Sequence, residues 1–158
     1  LLCRVLCYEN RDLSDRDFRN DDVDAGEVGA GHQVTALYEL KLKDGVDEDA
    51  AIGKVMLRHE APAHDTERAG IVEEIDAPLI RDMFEGDFGS DSAWRRAQTL
   101  AAEFAEILRG SYWAKESDLA DLVPLADQLV KDLPGDSMVE DLAAMIRKAA
   151  DLKAAEED

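Results

Sequence analysis

The sequence predicts an α+β fold: an antiparallel β-sheet of about four strands, open to a sandwich-like arrangement, in residues 1–78, followed by about three packed α-helices in residues 79–158. Three observations carry that expectation. Short apolar or alternating runs fill the first half. Apolar residues at steps of three and four fill the second. No long helical pattern separates one strand-like run from the next. Parallel strands need a crossover connection, usually a helix, whereas a block of strands followed by a block of helices reads as α+β. The 158 residues fit a single module, large enough to bury a core without metal or disulfide staples.

The strands follow in order. Residues 2–9 are apolar at nearly every position, as for a strand covered on both faces. Residues 34–43 alternate, with Val34, Ala36, Tyr38, Leu40 and Leu42 on one side and Thr35, Glu39, Lys41 and Lys43 on the other. That is the pattern of a half-buried antiparallel strand. Asp44-Gly45 marks a turn. Residues 52–59 form a third strand, ended by Pro62, and residues 71–76 a fourth between Gly70 and Pro78. Between the first two strands, Ser14 can cap one helical turn with Phe18 as its buried anchor.

The helices come next. Across residues 91–109, Trp94, Ala97, Ala101, Phe104 and Leu108 share one face, and Gly110 is the stop signal. A second helix is expected from a Ser117 cap to about residue 131, burying Leu119, Leu122, Val123, Ala126, Leu129 and Val130. Pro124 is expected to kink it or move its start. Ser137-Met138-Val139-Glu140 reads as a capping box opening a third helix. Its apolar face is Val139, Leu142, Ile146 and Ala149, and its acidic tail at Glu156, Glu157 and Asp158 is expected to fray.

Composition narrows the function. Lys plus Arg number 18 against 37 Asp plus Glu, a net charge of −19. That balance repels phosphate backbones and anionic lipid, so neither nucleic-acid binding nor membrane-surface binding is expected. It favours cations or basic partners. Hydrophobic residues reach 46%, too many for disorder by composition, yet no run approaches the ~20 apolar residues of a membrane span. The chain opens without Met and in mid-strand, which reads as a piece of a longer protein. Cys3 and Cys7 lie on one face of that opening strand, roughly 13 Å apart, too far for a mutual disulfide. They read as buried free thiols.

Chemistry-bearing motifs are sparse. Asp21, Asp22, Asp24 and Glu27, with Gly26 between, resemble the start of a calcium loop, because a hard cation takes oxygen ligands at alternate positions around a glycine turn. The twelve-residue spacing with a terminal bidentate Glu is missing. Turn formation by Asp and Gly accounts for the same residues. No metal ligand set is therefore assigned, and Asp21, Asp22, Asp24 and Glu27 stay as weak calcium candidates. Residues 26–32 are glycine-rich but precede a strand and lack the Lys and hydroxyl of a phosphate loop. His59 and His64 are five apart with Pro62 between them, which forbids the zinc-protease helix. A loop site of His59, His64 and Asp65 remains open. There is no Gly-x-Ser-x-Gly, and His32, His59 and His64 have no placed Ser or Cys partner. The expectation is therefore of no catalytic residues, no cofactor and no enzyme. Tyr112 and Trp113 are expected to pack under a helix end, the alternative being an exposed patch for a partner.

One resemblance covers nearly the whole chain. Tyr8-Glu9-Asn10-Arg11, Asp17-Phe18, and the run from Asp21-Asp22 through Asp24-Ala25-Gly26-Glu27-Val28-Gly29-Ala30-Gly31-His32 to Val34-Thr35-Ala36-Leu37-Tyr38-Glu39 carry it. So do Val55, Leu57-Arg58, Ala102-Glu103-Phe104, Leu108-Arg109-Gly110-Ser111 and Ile146-Arg147-Lys148-Ala149-Ala150. Together they resemble the region C-terminal to the von Willebrand factor type A (vWA) domain in a group of bacterial proteins. The resemblance implies a non-catalytic accessory module that packs against its own upstream vWA domain and N-terminal segment, supports protein–protein binding, and works in an extracytoplasmic setting. The vWA metal site has an Asp-x-Ser-x-Ser signature that this chain lacks, so no metal ligand carries over. Cys3 and Cys7 lie outside the pattern. An uncovered opening strand also invites pairing along its edge, so self-association or a protein partner is expected there.

Overall fold

A computed structural model describes residues 2–6, 14, 16–23, 26–29, 31–62, 67–84 and 86–157, the side chains of residues 2, 4 and 157 excepted. Among the described residues, four strands come first: β1 (Leu2–Leu6), β2 (Leu37–Lys41), β3 (Ala51–Glu60) and β4 (Val72–Ile80). Three helices follow: α1 (Ala93–Leu108), α2 (Leu119–Asp132) and α3 (Ser137–Glu157). Short 3-10 turns at Arg81–Phe84, Phe88–Ser90 and Tyr112–Ala114 punctuate the second half. The fold is α+β, in the order that the sequence predicts. The strands are split into two sheets of two, β1 with β2 and β3 with β4. The chain forms two compact units, one holding β3 and β4, the other holding the helices.

β3 and β4 make an antiparallel ribbon in which Gly53, Val55, Leu57 and His59 face Leu79, Ala77, Ile75 and Glu73. A bulge between Ala51 and Gly53 adjusts the register at one end. At the other, the Ala61 amide donates to the Ile71 carbonyl at 2.9 Å, and Gly70 takes a positive φ of 75° in the turn that leads to β4. β4 runs past the expected stop at residue 76 and contains Pro78, opposite Lys54. A strand with a neighbour on one side tolerates a residue without an N–H.

Two strand expectations are corrected. β1 is not covered on both faces, since Cys3 and Val5 are exposed; Cys7 lies outside the described residues. Alternation over residues 34–43 does not mark a buried face either. Leu40 and Leu42 are half-buried, but Val34 and Tyr38 are exposed. A two-stranded sheet offers one neighbour per strand, so period-2 patterning there shows which residues share a side, not what covers them. Phe18 is half-buried beside a turn in which the Asp17 amide donates to the Ser14 carbonyl at 2.8 Å.

The core is helical. Leu100 and Phe104 of α1, Leu119, Leu122, Ala126 and Leu129 of α2, and Val139, Ala143 and Ile146 of α3 are buried in one cluster. Ala126 and Ala143 allow close approach of their helices. On α1 the buried stripe is rotated from the expected one: Leu100 is 2% exposed, while Trp94 is 55% and Leu108 60% exposed. Both stripes share Ala97 and Phe104; the choice between Leu100 and Ala101 decides the rotation, and the larger side chain takes the core.

The helix starts are corrected as well. Ser92 caps α1, its hydroxyl accepting from the Arg95 amide at 3.3 Å. α2 is capped by Asp118, which accepts from the Ala120 amide at 3.1 Å. Ser117 is not that cap, because its hydroxyl donates to the Glu103 carboxylate. α3 is capped by Asp136, which accepts from the Val139 amide at 3.0 Å, so Ser137 is the first helical residue. Pro124 sits inside α2 without ending it. The acidic tail continues α3 as far as Glu157. Among the described residues, no helix is long and apolar enough to cross a membrane.

Candidate functional site

Asp21, the first of the candidate calcium ligands, meets the β3–β4 ribbon. Period-2 alternation places Lys54, Met56 and Arg58 on one side of β3, with Glu74 and Asp76 of β4 on that same side. Arg58 Nη2 pairs with the Asp21 carboxylate, and Arg58 Nε lies 3.6 Å from Glu74 Oε1. Arg19 grips Glu74 with two prongs, Nε to Oε1 at 2.9 Å and Nη2 to Oε2 at 2.8 Å. Lys54 and Asp76 pair at 3.6 Å beside them. A chain of charges, Asp21–Arg58–Glu74–Arg19, thus ties residues 19 and 21 to the ribbon.

Local turns hold those residues in place. The Asn20 amide donates to the Asp17 carbonyl at 3.0 Å, and the Asp22 amide donates to Asn20 Oδ1 at 3.1 Å. The Arg19 hydrogen bond holds the Glu74 carboxyl below the usual carboxylate range, helped by the positive charges of Arg19, Arg58 and Lys54. The same hydrogen bond raises Arg19.

The remaining candidates that are described do not gather with Asp21. Asp22 and Glu27 are exposed, and Asp24 lies outside the described residues. His59 Nε2 lies 3.5 Å from Glu73, which Arg68 also pairs. His64 and Asp65 lie outside the described residues. Among the described residues, no three of His, Cys, Asp and Glu gather as a metal site. The glycine-rich segment closes a turn through the His32 amide and Gly29 carbonyl at 3.0 Å, with Gly31 at a φ of 81°. A shallow, open depression runs along residues 45–49.

Residues 2–152 match the family described as "Uncharacterized protein YfbK, C-terminal". The chain belongs to that family. It is similar to the "Uncharacterized protein YfbK" of Escherichia coli (strain K12), with 28% identity over 138 residues, which covers 79% of this chain and 23% of that protein. The chain therefore spans less than a quarter of the length of this curated relative. No solved structure gives a significant match. The YfbK C-terminal match encloses the charged ribbon face and all but the end of α3.

Two features escaped sequence reasoning or ran against it. Arg19 and Glu74 carry no motif in the sequence, and Arg58 enters there only through the family resemblance; the signal for the site is the charge alternation of β3 against β4, legible only once the register is known. Tyr112 and Trp113 do not pack under a helix end. Ser111 caps their 3-10 turn by accepting from the Trp113 amide at 3.3 Å, and Ala114 is the member that is buried. Both rings are exposed, edge to face at 5.4 Å, with Lys115 Nζ 4.5 Å from the centre of the Tyr112 ring.

Proposed function

We propose that the chain is a non-catalytic accessory module that follows a vWA domain in a longer protein and supports protein–protein binding. The family match carries this reading: the family is described as the C-terminal part of YfbK, and the chain spans 23% of the Escherichia coli relative. The likeness of the segment from Asp21 to Glu39 to regions that follow vWA domains adds the upstream domain. The ionic face is consistent with a holding role, since Asp21 and Glu74 are each met by a guanidinium. The net charge of −19 favours a basic protein surface over nucleic acid or an anionic membrane. The setting we assign is extracytoplasmic, on the family likeness alone.

The parent reading frame tests this directly. A vWA domain encoded ahead of Leu1 is expected, and its melting temperature should fall when this module is deleted. A frame without such a domain overturns the reading.

A second reading has its own support in the exposed carboxylates of Asp22 and Glu27. It makes the chain a calcium-dependent binding module using Asp21, Asp22, Asp24 and Glu27. Calorimetry with calcium separates the two. The accessory reading expects no heat and no change in melting temperature; binding abolished by Asp22→Asn and Asp24→Asn replaces it with the calcium module.

A further inference from the structure

We propose that the face of the β3–β4 ribbon formed by Val55, Leu57, Ile75 and Ala77 is the surface by which this module docks on the upstream part of its own parent protein. The inference rests on the accessory-module reading and names its contact. Val55 stands opposite Ala77 and Leu57 opposite Ile75, so the two cross-strand pairs lie side by side on one face. That face is open: Val55 is 50% exposed, and Leu57 and Ile75 are each 57% exposed. The opposite face carries the Arg58 network and the segment around Asp21, so the ribbon is already occupied there. Among the described residues of the strand half, Ala61 is the buried apolar residue. A lone two-stranded hairpin is marginal in water, and covering this face supplies the burial it lacks.

Size and charge choose the occupant. The face consists of four apolar side chains, far fewer than the roughly 20–30 residues a side of a stable interface between free proteins. A tethered partner does not need that many, because a linker gives an effective concentration on the order of millimolar. The curated relative, of which this chain matches 23%, has ample polypeptide for such a tether. A second copy is disfavoured, since each brings a net charge of −19. The matching surface is an apolar strip with a basic margin.

Cysteine labelling in the full-length parent tests the assignment. Leu57→Cys and Ala77→Cys are compared with Met138→Cys, which replaces an 80% exposed side chain, and each site is read by peptide mass spectrometry. Docking predicts alkylation at the two ribbon sites roughly tenfold slower than at Met138→Cys, with equal rates in denaturant. A cross-linker placed on Leu57→Cys should capture a peptide from upstream in the same molecule. Labelling as fast as at Met138→Cys overturns the docking face and leaves the accessory reading standing. Capture of a second copy overturns the occupant. A parent without a vWA domain removes the accessory reading itself, whatever the labelling rates.

Discussion

Arg58 concentrates the interactions of the candidate site. Its side chain is 19% exposed, and it faces both Asp21 and Glu74. Exposed ion pairs contribute little each, but a network around a largely covered guanidinium fixes geometry. Replacing it as Arg58→Gln is expected to cost about 1 kcal/mol or less of stability. Its clearer effect should be faster hydrogen exchange over residues 16–23, with the helices unchanged; equal exchange there removes the clamp from the account. The caps give a second residue-level test. Asp136→Ala should cost about 1 kcal/mol in urea denaturation, and Ser137→Ala only a few tenths, because Asp136 accepts the Val139 amide. The reverse order restores Ser137 as the cap. Both cases show what a sequence conceals. The Asp21-Asp22 pair is visible as charge, but its guanidinium partner lies 37 positions away. Asp136 and Ser137 are adjacent cap formers, and the rule that recognises one recognises the other.

At the scale of elements, the strand block and helix block were legible because periodicity is a local property. The buried stripe of α1 was less so. The series through Trp94, Ala101 and Leu108 and the series through Leu100 are both apolar, and only the packing of α2 and α3 chooses between them. Stability measurements should reproduce that choice. Leu100→Ala, at a site 2% exposed, is expected to cost about 2–5 kcal/mol, and Ile146→Ala, at 0%, about the same. Leu108→Ala, at 60% exposure, should stay within about 0.5 kcal/mol. Comparable losses at Leu100 and Leu108 would contradict the rotated stripe. The end of β4 runs further than its sequence suggests for a different reason. Pro78 is a strand breaker in a central strand, but β4 has β3 as its sheet neighbour and continues through it. Sheet size is a tertiary property that a run of alternating residues does not contain.

For the whole molecule, charge sets two opposing dependences on pH. With a net charge of −19 near neutrality and a pI of about 4.4, acidification first removes like-charge repulsion, which favours the compact state. Further acid attacks specific carboxylates. Asp132 is held below the usual range by the Arg96 hydrogen bond, Asp118 by the Ala120 amide and Asp91 by the Ser92 amide. Glu74 is lowered by Arg19. A carboxyl lowered in the folded state binds fewer protons there than in the unfolded chain. Its contribution is present above the ordinary carboxylate range and is lost as pH falls through the depressed value. In low salt the melting temperature should therefore rise as pH is lowered from neutral towards the pI, then drop below it. Salt separates the arms. At about 1 M ionic strength the screening length is near 3 Å, so the first rise should vanish. The acid drop should survive, because the Ser92 and Ala120 amides donate to the Asp91 and Asp118 carboxylates at 2.7 and 3.1 Å. A melting temperature that falls steadily from neutral pH in low salt would mean that local pairing outweighs net repulsion across the whole range.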